Sequence, residues 1–365
     1  MNKKNVFIII SLFTVFLLVS CGDEKPSEGK DIEKVQKIYN KQGMDGFCDY
    51  LNKNAYVAVK DSSQNDATPL LIAIKEGELE KARLFIEKGA SVNERDSTGK
   101  SFFDYAVDSS RKEVMDFAVS KIPVSYWNVT DTEDNLPVVK IIEQNFDFSI
   151  IKQCIDLTND INHFNANCKT LLMYAAQCSF DVQTVKYLLD KGAQIDAKNS
   201  NEWTALMYAA RYNPNPAVME DLILRGANSD PNSVGLTVTI LASCNPNPGV
   251  LLTLLKYKNE INSVADNGKS AIMYACENNQ NASVIKMLID NGADLNAKDL
   301  NGKTVREYMS ANTSLTTSDM AIAWKTLEEN VFADSRDIIS DENNETMNSE
   351  VSITTNDSTE TILEN

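Results

Sequence analysis

Two residue types in this chain could do chemistry, and neither is arranged to do it. His163 is the single histidine, and the cysteines are Cys21, Cys48, Cys154, Cys168, Cys178, Cys244 and Cys276. Acid–base catalysis and metal ligation near neutral pH draw on histidine most often, so one copy argues against both. His163 sits in the turn-like stretch Asp160-Ile161-Asn162-His163 and reads as an ordinary surface residue. No CxxC, HExxH, glycine-rich phosphate loop or nucleophile elbow occurs, and no carboxylate pair is singled out by its context. We therefore expect no enzyme, no metal or other cofactor, and no small-molecule substrate.

Cys21 is the exception, because its surroundings specify a different chemistry. Lys3 and Lys4 precede a 14-residue apolar run, Val6 to Val19, that lacks a charge. Such a run is short for a membrane span and suits the core of an export signal. It ends in Leu18-Val19-Ser20-Cys21, which resembles the lipobox of bacterial lipoproteins. That resemblance implies a signal peptide over residues 1–20, cleavage before Cys21, and acyl chains on its thiol and on the new N-terminus. Residues 21–30 then form an acylated cysteine and flexible tether. The expected location is the bacterial cell envelope, lipid-anchored, on the periplasmic face or the outer membrane and cell surface.

Whatever else the chain does depends on the elements that fill the middle of it. The strings Thr170-Leu171-Leu172-Met173-Tyr174-Ala175-Ala176, Thr204–Ala210 and Ser270–Cys276 are near copies. Aligned anchors fall at Lys34, Thr68, Ser101, Leu136, Thr170, Thr204, Thr237, Ser270 and Thr304, always 33 to 35 residues apart. So constant a period signals a solenoid of short supersecondary units. A threonine at the anchor can cap a first helix, and Ala175-Ala176 and Ala209-Ala210 keep that helix thin. Leu188-Leu189 and Leu222-Ile223 supply the stripe of a second helix, which Gly192, Gly226 and Gly292 end in the left-handed conformation. In Asn213-Pro214-Asn215-Pro216 and Asn245-Pro246-Asn247-Pro248, asparagine stops one helix and caps the next, with proline in its first turn.

The opening Thr68-Pro69-Leu70-Leu71-Ile72-Ala73 and the ending Leu288-Ile289-Asp290-Asn291-Gly292-Ala293-Asp294-Leu295-Asn296 resemble the ankyrin repeat. The likeness runs over roughly residues 31–330. It implies a mostly α fold, an ankyrin-repeat solenoid with short β-turn or hairpin tips and about nine units, counting degenerate and capping ones. The units near Ser97 and Asp134 are the degenerate ones, where looser geometry is expected. The family's histidine is absent; Met173, Met207 and Met273 replace it, so its side-chain bond to the turn should be lost to apolar packing. Tyr174, Tyr208 and Tyr274, the next residues along, read as core.

Ankyrin arrays bind proteins through turn tips and the inner helix surface, and that implication transfers residue by residue. The tip position before each anchor holds Lys100, Lys169, Trp203, Leu236, Lys269 and Lys303. Trp203, Arg211 and Tyr212 fall on one unit's face and are the residue types most enriched at binding hot spots. The formal charge of −17 and the lack of a basic patch exclude nucleic acid as a natural partner. The domain layout is a repeat region over 31–331, closed by a helix around Trp324, and an acidic disordered tail over 332–365.

The reading that follows is a membrane-anchored scaffold for protein–protein interaction, with an unidentified protein partner. A structural envelope component that recognises glycan or peptidoglycan is the alternative, and an uncharacterised thiol enzyme comes third. The six cysteines after Cys21 could form a disulfide framework in an exported chain. Cys178 and Cys244 lie two units apart, too far to bridge. Cys276 reads as a buried small residue, and a pairing of Cys154 with Cys168 or Cys178 stays open.

Overall fold

The computed structural model describes residues 28–257 and 260–313, together with residues 321, 322, 324, 325 and 328. The signal, Cys21 and the acidic tail lie outside the described residues. Two compact units are present, one up to Ser109 and one from Ser110. The division falls inside the unit anchored at Ser101, one of the two whose sequence departs most from the pattern.

The first unit opens with α1 (Glu28–Leu51), which starts earlier than the expected tether allows and bends at Gly43, where φ is 65°. It continues through α2 (Pro69–Glu76), α3 (Leu79–Glu87) and α4 (Phe102–Ser109). α2 packs against both α3 and α4. Val35, Phe47 and Leu51 of α1 are fully buried, and the Phe47 ring lies 5.6 Å from that of Phe85. This helix therefore covers the apolar flank of the first hairpin, as a cap must.

The second unit holds α5 (Lys112–Lys121), α6 (Val138–Glu143), α7 (Phe148–Asp156), α8 (Leu171–Cys178), α9 (Val182–Asp190), α10 (Ala205–Tyr212), α11 (Pro216–Leu224), α12 (Val238–Ser243), α13 (Pro248–Tyr257), α14 (Ala271–Asn278), α15 (Ala282–Asp290) and α16 (Val305–Ser310). Within this unit the even-numbered helices pack in one row and the odd-numbered ones in another, each from α7 onward touching its predecessor two along. This is the expected repeat solenoid. Degeneracy shows as well: a 3-10 turn at Val124–Asn128 is inserted before α6, burying Trp127 completely. At the far end Ala321, Ile322, Trp324, Lys325 and Glu328 are helical, and the Trp324 ring stacks under Arg306; the rest of the expected closing helix lies outside the described residues.

Four of the five threonine anchors act as predicted; Thr68, whose hydroxyl donates to Glu94, and the serine anchor Ser270 make no side-chain cap bond. The Thr170, Thr204 and Thr237 hydroxyls accept from the backbone N–H three residues on, and Thr304 forms a reciprocal capping box with Glu307. Short β-bridges such as Val264 with Ser270 and Lys298 with Thr304 close the tip hairpins. Each tip turn needs one left-handed residue. Glycine supplies it at Gly99, Gly235, Gly268 and Gly302, but Asp66, Asp134, Cys168 and Glu202 are forced to φ between 55° and 65° at the same place. A Cβ in that conformation costs about 1 kcal/mol or more. Cys168 is exposed and carries no ion pair, so Cys168→Gly should raise the unfolding free energy by about 1 kcal/mol in urea titration.

Candidate interaction face

Each tip is built around one asparagine or aspartate placed five residues before the anchor in most units. Asn199 shows the logic: its Oδ1 accepts from the backbone N–H groups of Asn201 and Trp203, both at 2.9 Å. Its Nδ2 donates to the Tyr208 hydroxyl at 2.8 Å. The same grip joins Tyr105 to Asp96 at 3.0 Å, Asn165 to Tyr174 at 3.0 Å, and Tyr308 to Asp299 at 2.6 Å. Asn267 makes it to Tyr274 from seven residues away. The expectation of a lost side-chain-to-turn bond is therefore corrected. Met173, Met207 and Met273 are buried apolar filler, and the tyrosine one place later makes the bond. These tyrosines are tip braces as much as core. Burial, and at Tyr105 the Asp96 carboxylate, pushes the Tyr105 and Tyr174 phenols up to about 12, so they remain donors across ordinary pH.

The tip lysines lie across these braces. Lys100 is over Tyr105, Lys169 over Tyr174 at 3.8 Å and Tyr208 at 4.6 Å, and Lys269 and Lys303 converge on Tyr308 at 4.4 and 3.9 Å. Cation–π attraction fixes their stems along the inner face. Lys100 also pairs with Asp108, and Lys269 with Glu277 at 2.9 Å.

Trp203, Arg211, Tyr212 and Leu236 are brought together. Trp203 leaves its tip through the turn that Asn199 braces, while Tyr208 and Tyr212 stand one turn apart on α10. The Trp203 ring lies 5.3 Å from Tyr208 and 5.9 Å from Tyr212, the latter stacked at 28°. Arg211 covers the Tyr212 ring at 5.3 Å and donates to the Cys244 carbonyl at 3.0 Å, tying this face to the next repeat. With Asn232, Val234 and Leu236 of the following tip, the rings enclose a cleft of about 370 Å³. Tyr212 and Val234 are about half exposed at its mouth. Tyr208, whose role in the cluster the sequence did not announce, forms its floor.

The other candidate chemistry is quiet. All six described cysteines are free thiols, so the pairings left open for Cys154 are not made. Burial pushes the Cys154 and Cys276 thiols up to about 12, far from a reactive thiolate, and Cys276 is the buried small residue expected. The His163 imidazole rests 2.7 Å from the Asp134 carbonyl of the preceding tip. Among the described residues no group of three or more His, Cys, Asp or Glu side chains could hold a metal ion. No described helix is long and apolar enough to cross a membrane.

Paired helices in two rows, hairpin tips and a cleft between tips and first helices define a repeat-built protein. The family follows: the family model for ankyrin repeats (3 copies) matches residues 139–232 and 212–299, and that for the ankyrin repeat matches residues 65–97. The chain is an ankyrin-repeat protein, and ankyrin repeats as a family serve as protein–protein interaction scaffolds. A search of curated proteins found no match.

Proposed function

We propose that this chain is a membrane-anchored interaction scaffold of the bacterial envelope, holding a protein partner in the cleft at Trp203. The carrying observation is the Trp203–Tyr208–Tyr212 cluster, a half-exposed aromatic surface with Arg211 at its edge. Large rigid rings give contact area at low entropic cost, which is why they dominate binding energies. Glycan is less well served, because the Asn199 and Asn232 amides are spent on their own turns.

The double variant Trp203→Ala with Tyr212→Ala should weaken partner capture at least tenfold while thermal stability changes by about 1 kcal/mol or less. Undiminished capture by that variant overturns the assignment. Anchoring rests on Cys21 and its lipobox-like approach, Leu18-Val19-Ser20. A single acyl chain holds only marginally, so lasting attachment comes from acylation of both the thiol and the new N-terminus. Cys21→Ala should abolish palmitate labelling and move the protein out of the membrane fraction. Unchanged fractionation and labelling would refute the anchor.

A further inference from the structure

The inner face carries a charge pattern that breaks at its aromatic centre. In two repeats the tip lysine is answered eight residues later by an acid: Lys100 by Asp108, and Lys269 by Glu277 at 2.9 Å. In two of the four repeats between, those anchored at Thr170 and Thr204, the answer is missing, as it is for Lys303, which has Ala311 at that place. Lys169 meets the neutral amide oxygen of Gln177. In the next repeat Trp203 takes the tip place and Arg211 the place of the acid, so a cation stands where the pattern puts an anion. Neither Lys169 nor Arg211 has a carboxylate within ion-pair distance among the described residues. Glu143 acts on Lys169 only from farther away, and Arg211 is held by the Tyr212 ring and the Cys244 carbonyl.

These two cations lie against rings that line the cleft. Lys169 lies over Tyr208, Arg211 lies over Tyr212, and the two rings are 6.2 Å apart with Trp203 against both. The chain has 52 acidic against 35 basic residues, so two adjacent uncompensated cations oppose its overall balance. Burying a cation without an anion costs free energy that a partner's carboxylate would recover, and a charge-assisted bond to it is stronger than a neutral one. The cleft has no charged side chain in its lining and is rimmed by Val234 and Leu236.

Resting on the scaffold reading above, we infer that the cleft takes an extended acidic peptide segment: an apolar side chain enters among Trp203, Tyr208 and Tyr212, and flanking carboxylates answer Lys169 and Arg211. Alternating side chains of an extended strand point the same way at every second residue, which suits charges on either side of one apolar anchor.

The test is fluorescence anisotropy on the full chain with three fluorescein-labelled heptapeptides: Ser-Asp-Ser-Leu-Ser-Asp-Ser (Asp/Leu), which sets both carboxylates on the face of the leucine, and its versions with serine (Ser/Leu) or lysine (Lys/Leu) in place of aspartate. The Asp/Leu peptide should bind at least tenfold tighter than the Lys/Leu peptide, against the attraction that a net charge of −17 gives the latter. Lys169→Gln with Arg211→Gln should bring the Asp/Leu affinity down to that of Ser/Leu, while Lys286→Gln on α15 leaves it unchanged. Equal or tighter binding of Lys/Leu, an Asp/Leu affinity unmoved by the double variant, or tighter binding of N-acetylglucosamine oligomers than of any peptide overturns the inference. The scaffold reading fails separately: if a photocrosslinker at Val234 still captures a protein in the Lys169→Gln, Arg211→Gln chain, only the carboxylate preference is lost; if it captures none in the unaltered chain, the scaffold itself is refuted.

Discussion

Asn245→Ala is expected to lower the unfolding free energy by about 4 kcal/mol, because it removes one rung of a buried ladder and orphans three backbone groups. The Asn245 side chain is almost fully buried. Its amide donates to the Ala210 carbonyl at 3.0 Å and to the Asn213 carbonyl at 2.9 Å, while its oxygen accepts from the Asn247 N–H at 3.0 Å. Asn213 does the same to Ala176 and Ser179, Asn279 to Ser243 and Asn245, and Asn312 to Cys276 and Asn279. Each rung satisfies the carbonyls freed where a first helix ends in the preceding repeat, so the ladder stitches neighbours where apolar packing cannot. Asn245→Asp should be at least as damaging, since a carboxylate cannot donate to two carbonyls. Asn247→Ala, which loses an exposed bond and a helix cap, should cost only about 1 kcal/mol. Urea denaturation of the three variants checks the order, and equal costs for Asn245→Ala and Asn247→Ala would contradict the ladder.

Gly268→Ala should cost about 3 kcal/mol, well above Gly302→Ala at about 1 kcal/mol. Both glycines stand at φ near 78°. A Cβ on Gly302 meets nothing within 4 Å, whereas one on Gly268 would sit 2.7 Å from the Leu300 amide nitrogen. That amide is bonded to the Asn267 carbonyl at 3.1 Å, one of the links that join successive tips. The substitution therefore strains one turn and pries it from its neighbour. Matching denaturation midpoints for the two variants would show that tip-to-tip approach contributes nothing.

The sequence made the period, the helix caps and the turn glycines legible because each is a local rule: a hydroxyl at an anchor, a glycine after a leucine stripe. What it concealed depends on the neighbouring repeat. Asn213 and Asn245 looked like helix stoppers, and only stacking shows their amides reaching carbonyls more than 30 residues earlier. The Asn or Asp to Tyr braces also cross between elements, yet they leave a spacing in the chain: Asp96 with Tyr105, Asn165 with Tyr174, Asn199 with Tyr208 and Asp299 with Tyr308 all stand nine apart. Trp203, Arg211 and Tyr212 could be placed on one face from the anchor alignment, because a fixed period turns position into geometry. Their mutual stacking, and the floor made by Tyr208, came from a ring orientation that no periodicity encodes.

A partner held between the Trp203 tip and the Val234 tip can be trapped there by photocrosslinking inside living cells. With the crosslinker replacing Val234, at the mouth of the cleft, a discrete protein adduct is predicted, and it should vanish when Trp203 and Tyr212 are also changed to alanine. With the crosslinker replacing Leu224, which is 67% exposed on α11, no such adduct should form. Adducts of equal yield from both positions, or one from Val234 that survives loss of the two rings, would contradict the account.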